Sequence, residues 1–469
     1  MSRDTLSRHG FEIALLLIVA AVHVYAATSD AYNFPSSWFT RDDAYYYFKV
    51  AQNITEGRGV TFDGINPTNG YHPLWMLINI PIFALARYDL ILPLRILLLL
   101  QGALSVTTAI LIYRTIRGAI SHPLAVLCGA WWAFSLYIHM TMYEYGLETS
   151  LASFAVALLV NRLYKFERGW HTSEPGPGQI ATLAGFACLA VFSRLDLIFL
   201  ALLAGAWVIL RGTRLRVLLP LDMLLAVISV LWSLLLRLGI RGYYSNTETA
   251  MVMAAVSVLT KLPIYYLLGL YQPEWSRPFL RTVQRIAAAV ALSSVLTAGI
   301  MLVVSPLLGS FPRTSLIYDF LMNLSGLILL RAAARFFSQD RSREMIPPLE
   351  MLGMNARRWM GEAVVYFGII GIPLAAYLLL NRLMIGTAMP VSGQIKRWWG
   401  EAAVRAYGGP ARSSLAFWGI DLGPDYNAWN PFTGWIDALS RPIAERWGFY
   451  RNDEIYIGLL VLAAILWLA

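Results

Sequence analysis

Two adjacent carboxylates, Asp42 and Asp43, open the stretch "DDAYYYFKVAQNITEG" directly after the first hydrophobic run of the chain. Further polar side chains gather in a few places: "NPTNGYHPLW" (66–75), Glu144 and Glu148, Arg194 and Asp196, "YYSNTET" (243–249), and Ser392, Lys396 and Arg397. Carboxylates facing cations suit a group transfer to a hydroxyl. A carboxylate takes the proton of the attacking hydroxyl, and Lys or Arg stabilises the charge of a departing phosphate. Two neighbouring carboxylates disfavour double ionisation, which leaves one of them better suited to receive that proton. The plainer reading of the same pair is a helix start, where acids satisfy free N–H groups and the macrodipole.

Signatures of other chemistries are missing from the sequence. It contains no P-loop and no dinucleotide fingerprint, so energy or hydride coupling finds no support. It contains no HExxH and no Cys/His ligand cluster. The scheme needs no metal or other cofactor, and it leaves room for a divalent cation.

The elements that must position these residues are membrane helices. The chain of 469 residues is 58% hydrophobic and 14% charged, against about 25% charged in soluble domains. Many separate apolar runs reach the length that spans a bilayer, and the even alternation of a barrel is absent. The expected fold class is an all-α polytopic membrane protein. The net charge of +9 sits in Arg residues at the ends of apolar runs. It signals topology and contact with anionic membrane lipids, not nucleic acid. Cys128 and Cys188 lie inside apolar runs, so no disulfide framework is implied. The run 11–27 follows Arg3 and Arg8 and lacks a clean cleavage site, which fits an uncleaved first helix with a cytoplasmic N-terminus.

The arginines then set an alternating path. Segment 90–113 returns to Arg114 and Arg117, 124–142 runs outward, and 151–160 returns to Arg162, Lys165 and Arg168. A rising helix ends near "FSRLD" (192–196), and the next falls to Arg211, Arg214 and Arg216. Segments 219–236, 250–271, 286–304, 318–330 and 364–380 continue the alternation, and a last helix begins near Ile455. About twelve spans result. The path requires 72–88, with Pro73 and Pro81, to lie in the outer interface without crossing. The domain reading is a transmembrane module over 1–380 with a first external loop at 28–89. A small external region follows at 381–453, then a last helix at 454–469. All the polar clusters fall on the outer side, which points to a site fed from the bilayer.

Within the loop, Asp43, Tyr47, Val50, Ala51 and Ile54 follow helical spacing from Asp42 to Glu56, broken by Gly57 and Gly59. The sequon "NIT" (53–55) lies inside that helix and reads as incidental. Each remaining residue has a bland reading beside the functional one. Arg194 and Asp196 can be a self-contained pair, Glu144 and Glu148 a wet loop, and His72 an interface residue. Lys396 and Arg397 can be interfacial cations, and the six Trp at 398, 399, 418, 429, 435 and 447 an aromatic belt. One reaction uses the whole set: sugar transfer from a polyprenyl phosphate. The lipid accounts for a site within membrane reach, and a single displacement inverts the anomeric carbon.

The stretch "DDAYYYFKVAQNITEGRGVTFDGINPTNGYHPLW" resembles the first external loop of GT-C glycosyltransferases, within them the branch of actinobacterial cell-wall arabinofuranosyltransferases and the protein mannosyltransferases. "YGLETSL" (145–151) is similar to their Gly-x-Glu-Thr element, and "SRLD" (193–196) to an Arg-x-Asp/Glu element at a later helix end. "GTAMPVSGQIK" resembles the stretch that holds the lipid phosphate, although it departs from the expected Pro-Leu-Pro pattern and comes four helices late. The resemblance implies a GT-C helical bundle in a bacterial inner membrane with its site on the periplasmic face. The partners it implies are a polyprenyl-phosphate-linked sugar donor and a glycan, lipid or protein acceptor. It implies Asp42 as base, Asp43 as its partner, and Lys396 on the donor phosphate with Arg397 or Arg194 assisting. Asp196, Glu148, His72, Tyr71 and Tyr45 complete the implied substrate site, and Arg241 in "RGYYSNTETAM" is the rival phosphate cation. The competing functions are a lipid-linked sugar transporter or flippase, an O-antigen ligase or polymerase, and a non-catalytic scaffold.

Overall fold

The computed structural model describes residues 3–40, 42–135, 138–139, 143, 146–272, 278–308, 311–337 and 347–395. Helices dominate, and among the described residues the only extended pairing is an isolated bridge between Thr61 and Pro67. The chain enters through α1 (Arg3–Thr28) and continues through α2 (Asp42–Thr55) and α3 (Pro73–Phe83). It continues with α4 (Leu92–Ala119), α5 (His122–Phe134), α6 (Thr149–Trp170), α7 (Pro177–Ser193) and α8 (Ile198–Ile209). The last described helices are α9 (Leu215–Ser245), α10 (Thr247–Leu267), α11 (Phe279–Val304), α12 (Ser315–Phe337) and α13 (Pro348–Ile385).

Among the described residues, seven helices are long and apolar enough to cross a membrane: α1, α4 and α9 to α13. The protein is therefore an all-helical integral-membrane protein. Like the 12-residue α8, the 11-residue α3 is short; it rises only about 16 Å, under a ~30 Å hydrocarbon core. Pro73 sits in its first turn, where a missing N–H costs nothing, and Pro81 lies near its end.

The helices pack in two groups. In the first, α4 contacts α1, α5 and α6, and α6, α7 and α13 follow in succession. In the second, α9, α10, α11 and α12 form a ring, each helix packed on two neighbours. Charged residues that the sequence assigns to the inner loops are tied to partners on other helices. Arg114 pairs with Glu12, Arg216 with Glu167, Arg211 with Glu362, and Arg331 with Asp222. Lys261 and Asp319 form a further pair inside the ring: Nζ stands 2.7 Å from Oδ2, both fully buried. Asp319 Oδ1 also accepts from Ser229 and Asn323.

Several expected segments come out longer. The α6 helix runs to Trp170, and α13 begins at Pro348 because Glu362 finds Arg211 and lets its charged turns pack. The stretch 243–249, expected as a polar loop, belongs to helices. The backbone kinks at Gly239 (φ 66°), resumes its helical course to Ser245, and restarts at Thr247.

Candidate functional site

The α2 helix forms because Ala44, Tyr47, Phe48 and Ala51 recur at helical spacing and bury one face. That face packs on α3 through Trp75, Met76 and Phe83, with Phe48 stacked on Phe83 at 4.8 Å. Asp42 and Asp43 occupy its first turn and are exposed. Asp42 Oδ1 accepts the N–H of Asp43 at 3.0 Å, so the helix-start role is present. Asp43 and Tyr47 are four residues apart and share one side of the helix, about 6 Å of rise apart.

Tyr47 is where the site is built. Its hydroxyl donates to Glu148 Oε2 at 3.0 Å and accepts the backbone N–H of His72 at 3.0 Å. Burial and then the Glu148 charge push this phenol well above its ordinary range. His72 Nε2 lies 3.4 Å from Glu148 Oε1, and the N–H of Leu195 donates to its Nδ1 at 3.4 Å. When the ring is neutral and accepts at Nδ1, its proton is on Nε2, facing Glu148. Arg194 Nη1 stands 3.8 Å from the same Glu148 oxygen, close enough for charge attraction and too far for a hydrogen bond. Its guanidinium grips Asp196 with two bonds of 2.9 and 3.2 Å. That hydrogen bonding holds the Asp196 carboxyl below its usual value and raises Arg194.

Glu148 is placed by a backbone that only glycine fits. Gly146 has φ +70°, and a Cβ there would meet Phe39 at 2.5 Å and Ala44 at 3.3 Å. The loop before α6 therefore lies against the first turns of α2. On the other flank, Asn53 donates to the carbonyls of Thr61 and Phe62, which ties the sequon amide into the loop fold.

A second convergence involves the far end of the described chain. Asn69 Oδ1 accepts the N–H of Val391 at 2.9 Å, and Gly70 lies against Ser392. The segment after α13 thus docks on the loop that leads into His72.

Of the residues singled out from the sequence, His72, Glu148, Arg194 and Asp196 come together around Tyr47. Tyr71 lies in the same loop, partly buried, and is pushed up to about 12 by burial. Tyr45 is exposed at the edge of α2 with its ring edge-on to Phe48. Among the described contacts, neither Asp42 nor Asp43 touches the cluster. Arg241 sits in the last turns of α9, apart from it in the chain. Glu144, Lys396 and Arg397, the six Trp beyond 397 and the last helix lie outside the described residues. The residues that the sequence reading missed are Tyr47, taken there only as a helix-face position, and Asn69. A buried Tyr hydroxyl needs a partner, and that was the available signal. Among the described residues, no three His, Cys, Asp or Glu side chains group as a metal site.

Chemically, the arrangement offers exposed carboxylates on a helix whose inner face is anchored by hydrogen bonds, and a partly exposed guanidinium in the network that anchors it. The protein that carries this arrangement is an integral-membrane helical protein. No protein-family model matches the chain, and no curated protein or solved structure does either.

Proposed function

We propose that the chain is an integral-membrane inverting glycosyltransferase of the GT-C kind. It moves a sugar from a polyprenyl-phosphate donor to an acceptor hydroxyl on a glycan, lipid or protein. In this reading about twelve helices span a bacterial inner membrane, the N-terminus is cytoplasmic, and the site faces the periplasm. The observation that carries it is convergence. Segments 42–47, 69–72, 146–148 and 194–196, distant in sequence, meet through Tyr47, His72, Glu148 and Arg194. The segment 391–392 joins them at Asn69.

The roles follow from exposure. Asp42 takes the proton of the acceptor hydroxyl, with Asp43 beside it, and the oxygen attacks the anomeric carbon as its bond to the phosphate oxygen breaks. The phosphate leaves with the electron pair, and cations receive its charge. Arg194 is one of them; Lys396 and Arg397 join it on the strength of the sequence resemblance, with Arg241 as the rival. Tyr45 offers an exposed ring for the sugar. Tyr47, His72 and Glu148 hold α2 in place.

The test is transfer from a purified polyprenyl-phosphoryl sugar by the wild type, Asp42→Asn and Asp43→Asn. Loss of a general base lowers kcat by about 10²–10⁴-fold, with donor binding retained. Full activity of both variants refutes the assignment. The buried Lys261–Asp319 pair favours a second reading, a lipid-linked sugar transporter. Flipping of labelled donor in proteoliposomes without any transfer would select it.

A further inference from the structure

Arg358 lies in α13, one helical turn before Glu362, and in an isolated helix those two would pair. Here both oxygens of Glu362 are held by Arg211, which follows the last turn of α8. Arg358 is left with a neutral acceptor: its Nη2 donates to the backbone carbonyl of Arg211 at 3.3 Å. Its Nε is buried without an acceptor. The residue is half-buried, and the nearby charge of Arg211 repels it. Among the described residues no carboxylate stands within ion-pair distance of it; Glu362 and Glu174 attract it from farther away. A cation drawn out of water without a counter-charge is costly, and an anion that reached it would relieve that cost.

The donors suit a phosphate. A guanidinium presents a planar fork that takes two phosphate oxygens at once. Arg357, next to it, is exposed and adds a second positive charge. The surroundings suit a lipid. Beyond Arg357, one face of α13 exposes Met360, Val364 and Phe367 at helical spacing. Gly361 and Gly368 on the same side have open space where a side chain would stand. This helix is long and apolar enough to cross a membrane, so a chain lying on the stripe lies in hydrocarbon. Basic groups at the end of such a stripe attract anionic headgroups.

We propose that Arg358 and Arg357 bind the phosphate of an anionic phospholipid whose acyl chain follows this stripe of α13. The α8 helix starts just after Asp196 and ends just before Arg211, ~18 Å of rise later. The lipid site is therefore at the opposite end of that helix from the Tyr47 cluster, and it does not depend on the chain being a transferase.

The experiment titrates the full chain in detergent with phosphatidylglycerol and reads binding by native mass spectrometry. Phosphatidylcholine and inorganic phosphate are the comparison probes. The wild type should bind phosphatidylglycerol about fivefold more tightly than the zwitterionic lipid, and inorganic phosphate should not displace it. Arg358→Gln should weaken that binding about tenfold, the loss of one charge-assisted hydrogen bond. Arg358→Lys keeps the charge without the fork and should fall between the two. Arg281→Gln removes an exposed charge at the start of α11 and should stay within about twofold of wild type. Equal affinity of the wild type for both lipids overturns the proposal. Equal losses in Arg358→Gln and Arg281→Gln do the same, because the lipid then reads net charge alone. Displacement by inorganic phosphate overturns the lipid assignment and leaves a site for the free anion. Should Arg358→Gln fail to fold, Arg358→Lys decides, and unchanged affinity there sinks the fork.

Discussion

Replacing Tyr47 by Phe removes one hydroxyl, and that hydroxyl holds two partners at 3.0 Å, Glu148 and the N–H of His72. Tyr47 and Glu148 are each 7% exposed, so water has little access to replace what is lost. A hydrogen bond to a charged acceptor contributes about 1.5–3 kcal/mol, and an orphaned buried N–H costs ~1 kcal/mol or more. Tyr47→Phe should therefore destabilise by about 3 kcal/mol. In Glu148→Gln the side chain keeps its shape, yet its amide must face either the Tyr47 hydroxyl or the His72 Nε2–H, both donors. About 2 kcal/mol is expected for that mismatch. Both changes act on the same bond, so the double variant should cost little more than the worse single one, a coupling of about 2 kcal/mol. The assay is reversible denaturant unfolding of the detergent-solubilised protein, with exchange of the α2 amides as a local readout. A coupling under about 0.5 kcal/mol would refute the claim that this contact anchors α2. The Arg194–Asp196 pair supplies the control, since its members are 34% and 59% exposed and such pairs contribute at most about 1 kcal/mol.

That pair also sets a pH dependence. The Arg194 guanidinium depresses the Asp196 carboxyl, so its contribution is present above the unfolded value near 4 and lost as pH falls through the folded one. Melting temperature recorded from neutral pH down through that window should fall in acid, and Asp196→Asn should remove part of the slope. Inside the ring, Lys261→Met leaves Asp319 buried without its cation and should cost about 3–5 kcal/mol. The double change Lys261→Met with Asp319→Leu should recover most of that loss in the same unfolding assay. If it is as unstable as the single variant, the pair is not simply a buried charge couple.

The α2 helix and the short α3 were legible because both are local. The spacing of Ala44, Tyr47, Phe48 and Ala51 defines a face, and Pro73 and Pro81 bracket a segment too short to cross. What local pattern could not carry was long-range pairing. Glu362 reads as part of a charged inner loop until Arg211, 151 positions away, is seen to hold it on a packed helix. "YYSNTET" reads as a loop by polarity, and only the kink at Gly239 shows how the helix continues through it. Polar composition marked segments that meet around Tyr47. It did not distinguish Glu148, buried among donors, from Asp42 and Asp43, which stay in water.

That distinction bears on how the residues divide their work. A carboxylate that accepts from Tyr47 and lies against His72 Nε2 has both oxygens engaged within the protein. The Asp42–Asp43 pair has the opposite character: exposed and bound only to its own backbone among the described contacts. An exposed pair on a loose loop would be a poor base, because a catalytic group must be held close to its productive geometry. Here the next turn of the same helix is fixed from behind by a hydrogen-bonded hydroxyl, with Gly146 closing against Ala44. In the proposed transferase the buried network and the exposed pair are two requirements of one arrangement. The first keeps α2 in place, and the second leaves its leading turn open to a hydroxyl.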